Sequence, residues 1–195
     1  GDECDECGKP LDPSTLKDVH CYLCSTPAQF EVLEHFFLRL SAFQDRLKAW
    51  VKEQSHWRHN VLGTTRKFLH EGLKDRAITR DINWGVTVPQ PGFEQKRIYV
   101  WFEAVIGYLS ASEEWAKLHG DDAAWQPFWQ GESRSFYFVG KDNIFFHTLV
   151  WPAMLMGYSG LNLPYDVPAN EFLTIEGKKL STSRNWAVWL PDYLE

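Results

Sequence analysis

From Ser41, the run SAFQDRLKAWVKE repeats its apolar positions with a helical period and puts Phe43, Leu47, Trp50 and Val51 on one face. Ser41 and Gln44 form a capping-box pattern that marks the start of this helix. A second helix is predicted over residues 60–72, NVLGTTRKFLHEG, capped by Asn60 and stopped near Gly72. The polar run LKDRAITRDINWG and the pair Pro89/Pro91 then break the pattern and suggest a boundary near residue 85. Beyond it the period changes. RIYVWF at 97–102 reads as a strand, and AVIGYLSASEEWAKLHG as a helix ending at Gly120. SFYFVG at 135–140 is a second strand, DNIFFHTLVWPAMLMG a helix kinked by Pro152, and NEFLTI at 170–175 a third strand. Strand–helix–strand–helix–strand implies an α/β fold, a parallel sheet with helices on its faces. Ligands of such sheets sit beyond the carboxyl ends of the strands. Three stretches are therefore expected to converge: Trp101 to Tyr108, Gly140 to His147, and Gly177 to Ser183.

Four cysteines change this picture at the amino end. They form Cys4-x-x-Cys7 and Cys21-x-x-Cys24, and the rest of the chain has none. Thiolates two residues apart can converge on one tetrahedral ion, and Gly8 and Pro10 help to turn the first knuckle. The pattern predicts a structural zinc site with Cys4, Cys7, Cys21 and Cys24 as ligands. Two disulfides are the alternative, although nothing else in the sequence suggests secretion. His20, beside the second pair, is a spare donor that four thiols leave unneeded.

Composition narrows the classes. The chain has 195 residues, 44% hydrophobic and 24% charged, which is ordinary for a globular protein. Ten Trp and thirteen Phe exceed what a core of this size needs and suggest aromatic-lined pockets. A formal charge of −6 argues against a non-specific nucleic-acid binder. No apolar run is long enough to span a membrane, and no charged-then-apolar leader opens the chain. Residue 1 is Gly, so a fragment or processed chain is expected.

Against that acidic background, IEGKKLSTSRN at 175–185 concentrates Lys178, Lys179 and Arg184 in a glycine-flanked loop after a predicted strand. It reads as a solvated turn, a nucleic-acid contact or a mobile clamp on phosphate oxygens. Gly140-Lys141-Asp142 lies where a strand becomes a helix. Asp142 is either a helix N-cap or a contact to a ribose or an amine. His147, taken alone, is more often a satisfied buried histidine than a ligand contact.

Four blocks carry a resemblance. DRAITRDINWGVTVP (75–89), YVWFEAVIGYLS (99–110), FVGKDNIFFHTLVWPAML (138–155) and GKKLSTSRN (177–185) look like the methionyl-tRNA synthetases, a family of class I aminoacyl-tRNA synthetases. The resemblance implies the second half of a Rossmann-type catalytic sheet, preceded by a zinc-knuckle and helical connective insertion. Residues 1–28 would be the knuckle, 29–85 the remaining insertion, 86–176 the catalytic half-domain, and 177–195 the signature loop with the start of a helical region. It also implies methionine, ATP with Mg2+, and tRNA(Met) as substrates, a cytoplasmic location, and a methionine–tRNA ligase activity through methionyl-adenylate.

By position, Lys179-Leu180-Ser181-Thr182-Ser183 resembles the family's Lys-Met-Ser-Lys-Ser signature, which binds ATP. Gly140 and Asp142 fall on further ATP contacts. Trp101, Ala104, Tyr108, Asp142, His147 and Trp151 match the substrate pocket, with Val150 on its wall. Lys179, helped by Lys178 and Arg184, would stabilise charge on the leaving pyrophosphate. A thioether is soft, suits aromatic edges, and accepts weak hydrogen bonds from groups such as Tyr108 or His147.

The departures are specific. Thr182 stands for the second signature lysine, Asn185 for the Gly that often follows, Val105 for a commoner proline and Glu103 for a commoner Asp. The His-Ile-Gly-His-like motif is absent, so the polypeptide alone is expected to be inactive. The family also pairs knuckle cysteines in a nested way, which leaves open whether the four serve one ion or two with upstream partners. A valine, isoleucine or leucine synthetase would share fold and loop, but the aromatic pocket suits those less. A zinc-knuckle RNA-binding module would account only for residues 1–25.

Overall fold

The computed structural model describes residues 15–21, 24–182 and 185–194. Two compact units emerge: His35–Glu171, and Gly1–Glu34 with Phe172–Glu195.

The larger unit opens with β1 (Phe37–Leu38), followed by a 3-10 turn at Leu40–Phe43 and α1 (Gln44–Glu53). Leu47 and Val51 are buried, as the helical spacing requires. The expected capping box does not form. Ser41 instead gives its hydroxyl to Asp75 Oδ1 at 2.6 Å and its backbone N–H to the same oxygen at 3.1 Å. Gln44 turns to the next helix, donating to the Leu69 carbonyl at 2.7 Å and accepting from the Leu73 N–H at 2.9 Å. A tertiary acceptor has outcompeted the local cap.

The second helix, α2 (His59–Glu71), begins one residue earlier than predicted and stops at Gly72, whose φ of +88° suits only glycine at low cost. Asn60 is inside this helix, not its cap. Its amide donates to the Ala169 carbonyl at 3.1 Å and to Glu171 Oε1 at 3.2 Å. Val61, Leu62, Thr65 and Leu69 form the buried stripe.

Strands β2 (Arg76–Ala77) and β3 (Thr79–Arg80) follow, the first antiparallel to β1 and the second antiparallel to β4 (Arg97–Ile98). This corrects the predicted strand at 97–102. Only its first two residues form a strand, and they pair outside the parallel sheet. Val100–Glu103 is helical (α3) and continues through a 3-10 turn at Ala104–Ile106 into α4 (Gly107–Leu118). A short apolar run does not reveal its period. Here the inward positions Val105, Leu109 and Ala116 draw the run into the helix that follows. A short α5 (Gln126–Trp129) comes next.

The predicted strand at 135–140 meets a parallel partner. β5 (Val139–Gly140) pairs with β6 (Ala169–Asn170), extended by a bridge between Phe136 and Asp166. The crossover between them holds a 3-10 turn at Lys141–Asn143, a wide π turn at Phe146–Val150, and α6 (Trp151–Tyr158). Pro152 accounts for the wide turn. Its ring would press on the carbonyl four residues back in a regular helix. The backbone opens instead, and the Trp151 N–H reaches the Phe146 carbonyl.

Leu40, Leu47, Val61, Ile144, Leu149, Leu155 and Val167 are enclosed where α1, α2 and α6 meet the parallel pair. One polar chain crosses this core. The Thr65 hydroxyl donates to Thr148 Oγ1 at 2.9 Å, and the Thr148 hydroxyl donates to the Ile144 carbonyl at 2.8 Å.

In the smaller unit, β7 (Thr174–Ile175) and β8 (Lys178–Lys179) form an antiparallel hairpin, and α7 (Leu190–Leu194) lies near the end of the chain. The predicted third strand at 170–175 is thus divided. Its first residue ends the parallel pair, and its last two begin the hairpin. None of the helices among the described residues is long and apolar enough to cross a membrane.

The threonine relay predicts an asymmetry. Thr148→Val strands the buried Thr65 hydroxyl without an acceptor, whereas Thr65→Val leaves the Thr148 bond to Ile144 intact. Urea denaturation should find Thr148→Val the more destabilising, by about 1–3 kcal/mol against about 1 kcal/mol. Equal losses would mean that the relay carries no energy of its own.

Candidate functional site

Along α3 and α4, Trp101, Ala104 and Tyr108 recur at helical spacing on one exposed face, beside the buried Val105. Trp101 is 48% exposed and Tyr108 42%, so neither is core. Beneath them lies His147, only 4% exposed, on the wide turn of the crossover. The Tyr108 hydroxyl is 2.9 Å from His147 Nε2, and His147 Nδ1 is 2.9 Å from the Asn143 carbonyl oxygen.

These two contacts fix the protons. A carbonyl only accepts, so Nδ1 carries the hydrogen. Nε2 of the neutral ring then accepts from Tyr108 O–H. Burial holds His147 below the usual histidine range, opposed by the Asn143 hydrogen bond, so the neutral form is the resting one. The Tyr108 proton is already engaged. A soft ligand atom over this pair meets the phenol oxygen and ring edges before any free donor. Burial raises the Tyr108 phenol above its ordinary value, which keeps it protonated.

Tyr137 and Phe146 complete the aromatic lining, and neither stood among the predicted site residues. The Tyr137 ring lies 5.1 Å from Tyr108 and 5.6 Å from His147, and Phe146 lies 5.8 Å from Trp101. Strand alternation in SFYFVG was the available signal, since Tyr137 is buried while Phe136 and Phe138 are exposed. Trp151, a predicted pocket residue, is 2% exposed and belongs to the core. It reaches the site through its indole N–H, which donates to the Tyr137 hydroxyl at 3.0 Å. Val150 is likewise buried.

At the end of β5, Asp142 does not cap the following helix, which Gly140 precedes without a side-chain cap. Its carboxylate is exposed and folds back over Gly140, where an added Cβ would lie 2.6 Å from Oδ1. A side chain at 140 would push that carboxylate away. Lys141 bonds Glu171 at 2.7 Å, and this bond, with that of Asn60, holds the Glu171 carboxyl below its usual range.

The basic loop lies in the smaller unit. Glu176 and Gly177 both have positive φ, which makes the two-residue turn that joins β7 to β8. Past β8, the Leu180 N–H bonds the Leu173 carbonyl, and Ser181 and Trp186 exchange backbone bonds at 2.8 and 3.0 Å. The Asn185 N–H reaches the Thr182 carbonyl at 3.1 Å. Asn185 has φ +51°, a left-handed position that Gly fills freely and Asn tolerates. Ser183 and Arg184 lie outside the described residues.

The second cysteine pair sits at a hairpin tip. The Cys21 N–H bonds the Thr26 carbonyl and the Ser25 N–H bonds the Cys21 carbonyl, each at 2.8 Å, and His20 bridges to Pro27. Cys21 and Cys24 are exposed free thiols. Hydrogen bonds from Thr26 lower the Cys24 thiol from its ordinary value, which favours the thiolate a soft metal needs. His20 Nδ1 is engaged by the Asp18 carbonyl at 2.7 Å. Among the described residues no three metal-ligating side chains cluster, and Cys4 and Cys7 lie outside them.

Comparison with known proteins adds a separate line of support. The model of the family described as "tRNA synthetases class I (M)" matches residues 1–195. A methionine–tRNA ligase of Dehalococcoides mccartyi (strain CBDB1) is 61% identical over 194 residues, covering 100% of this chain and 35% of that protein. One from Thermoplasma acidophilum is 50% identical over 196 residues, covering 100% of this chain and 36% of that protein. Among solved structures, Mycobacterium tuberculosis methionyl-tRNA synthetase bound by methionyl-adenylate is similar with a TM-score of 0.71 and 27% identity, over 96% of this chain and 36% of that one. The chain spans about a third of the length of the curated relatives it matches.

The His147 environment predicts a pH response. Its folded pKa lies below the unfolded value of about 6.5, so the unfolded state binds more protons between the two. The stability contributed by neutral His147 is complete above about pH 6.5 and is lost as pH falls toward the folded pKa. Chemical denaturation between pH 7 and 5 should show that decline, and His147→Gln should flatten it. An unchanged slope in the variant would remove His147 from the account.

Proposed function

The chain belongs to the class I (M) tRNA synthetases, and we propose that it forms part of an enzyme that activates methionine with ATP and transfers it to tRNA(Met). The observation that carries this reading is the open aromatic face of Trp101, Ala104 and Tyr108 above a neutral, buried His147. Aromatic edges and a polarizable floor suit a thioether better than a branched aliphatic side chain. A net charge of −6 also disfavours the alternative of a general RNA-binding module.

In the activation step a methionine carboxylate oxygen forms a bond to the α-phosphorus of ATP, and the bond from that phosphorus to the bridging oxygen breaks. Pyrophosphate leaves and methionyl-adenylate remains. The terminal ribose hydroxyl of tRNA then takes the methionyl group, releasing AMP. Positioning and neutralisation of oxygen charge do most of the work in such a transfer. On this reading Trp101, Ala104, Tyr108 and His147 hold the side chain, with Trp151 supporting Tyr137 from behind. Gly140 and Asp142 meet the ribose or the amine. Leu180, Ser181, Thr182 and Ser183 shape the loop against ATP, and Lys179 with Lys178 and Arg184 opposes charge on the departing pyrophosphate. Mg2+ enters with ATP. Residues 1–28 act as the zinc knuckle, 29–85 as the rest of the insertion, 86–176 as the catalytic half-domain and 177–195 as the signature region.

The zinc site is structural, held by Cys4, Cys7, Cys21 and Cys24. What supports it is the soft donor set and the hairpin that presents two thiols at its tip.

Methionine-dependent exchange of pyrophosphate into ATP by the full-length protein tests the activity, and exchange driven equally by valine or leucine would refute the substrate. In the same protein, Lys179→Ala should slow single-turnover adenylate formation about ten- to a thousand-fold, with little change in methionine affinity. A wild-type rate would reduce the loop to a solvated turn. Elemental analysis of chelator-free protein should find zinc at about one equivalent or more, and less than about half would exclude the site.

A further inference from the structure

Lys178 and Lys179 are neighbours on β8, and successive side chains of a strand point to opposite faces. Their ammonium groups accordingly rest on different rings. Lys179 Nζ lies 3.6 Å from the Phe172 ring centroid, and Lys178 Nζ lies 5.3 Å from the Trp186 ring. Backbone pairing holds both rings in place. Phe172 precedes the residue whose carbonyl accepts from Leu180, and Trp186 exchanges two backbone bonds with Ser181.

We propose that Phe172 is a positioning residue for Lys179. This rests on the reading of the loop as a phosphate clamp. An unsupported lysine stem samples many rotamers, and fixing it as charge develops costs entropy. A ring face against one side of the ammonium holds the cation by its quadrupole and narrows the positions from which it can meet phosphate oxygens. Phosphate then meets a cation already in place. The same geometry divides the two lysines. With its ammonium on the Trp186 side of the strand, Lys178 does not share the position from which Lys179 acts.

The test is single-turnover adenylate formation in the full-length protein, with Phe172→Leu, Phe172→Tyr, Lys179→Ala and the double variant Phe172→Leu/Lys179→Ala. Phe172→Leu keeps an apolar side chain but has no ring. It should react about three- to thirty-fold more slowly at unchanged methionine KM, and Phe172→Tyr should restore most of the rate. The double variant should be no slower than Lys179→Ala, because the ring acts only through that lysine. A wild-type rate for Phe172→Leu overturns the proposal. So does an equal slowing by Phe172→Leu with and without Lys179, since the ring would then serve only the fold of the hairpin. If Lys179→Ala is slow and Phe172→Leu is not, only the positioning role fails. If Lys179→Ala is itself unimpaired, the clamp reading fails with it.

Discussion

Pro152 has no amide hydrogen to give to a helix, and the geometry of the larger unit follows from how the chain accommodates that. The helix opens into one wide turn at Phe146–Val150 before regular structure resumes at Trp151. The turn carries His147 on one side and Thr148 on another. His147 reaches the exposed aromatic face, while Thr148 joins Thr65 of α2 inside the core. Site and core are therefore built from adjacent residues of one irregular turn. Such wide turns cluster at functional sites because they reorient a side chain without ending the helix.

Electrostatics reinforces this arrangement. His147 is buried neutral, with one proton committed to a backbone carbonyl and one lone pair committed to Tyr108. No charged side chain is needed to satisfy it, which suits a pocket for an uncharged ligand group. The basic loop works differently. Its lysines stand on an exposed hairpin against aromatic rings, whose quadrupoles attract a cation. The departures from the signature also acquire reasons here. Asn185 stands where φ is positive, so a residue that tolerates the left-handed region can replace Gly. Val105 is buried one helical turn beyond Trp101, beside the aromatic stripe, so its exchange for proline alters the packing that supports that lining.

The sequence alone was enough to show the helices at 44–53 and 59–71, the strand into helix at 139–158, and the residue types that make the aromatic face. Local period and turn chemistry encode such features, and the resemblance in four blocks identified the family. Other features belong to tertiary structure. Ser41 abandoned its cap because Asp75 offers two bonds from afar, and Asn60 left its own because the carbonyl of Ala169 was in reach. The run at 100–103 became helix because its neighbours supply the inward-facing stripe, which a four-residue window does not contain. Tyr137 entered the site, and Trp151 withdrew into the core, according to which face of each element met a partner. The proton positions on His147 depended on one carbonyl four residues away and one hydroxyl thirty-nine away in sequence. Composition and spacing specify which groups a chain carries. Only the fold decides which of their hydrogen bonds are already taken, because partners distant in sequence compete for the same donors and acceptors.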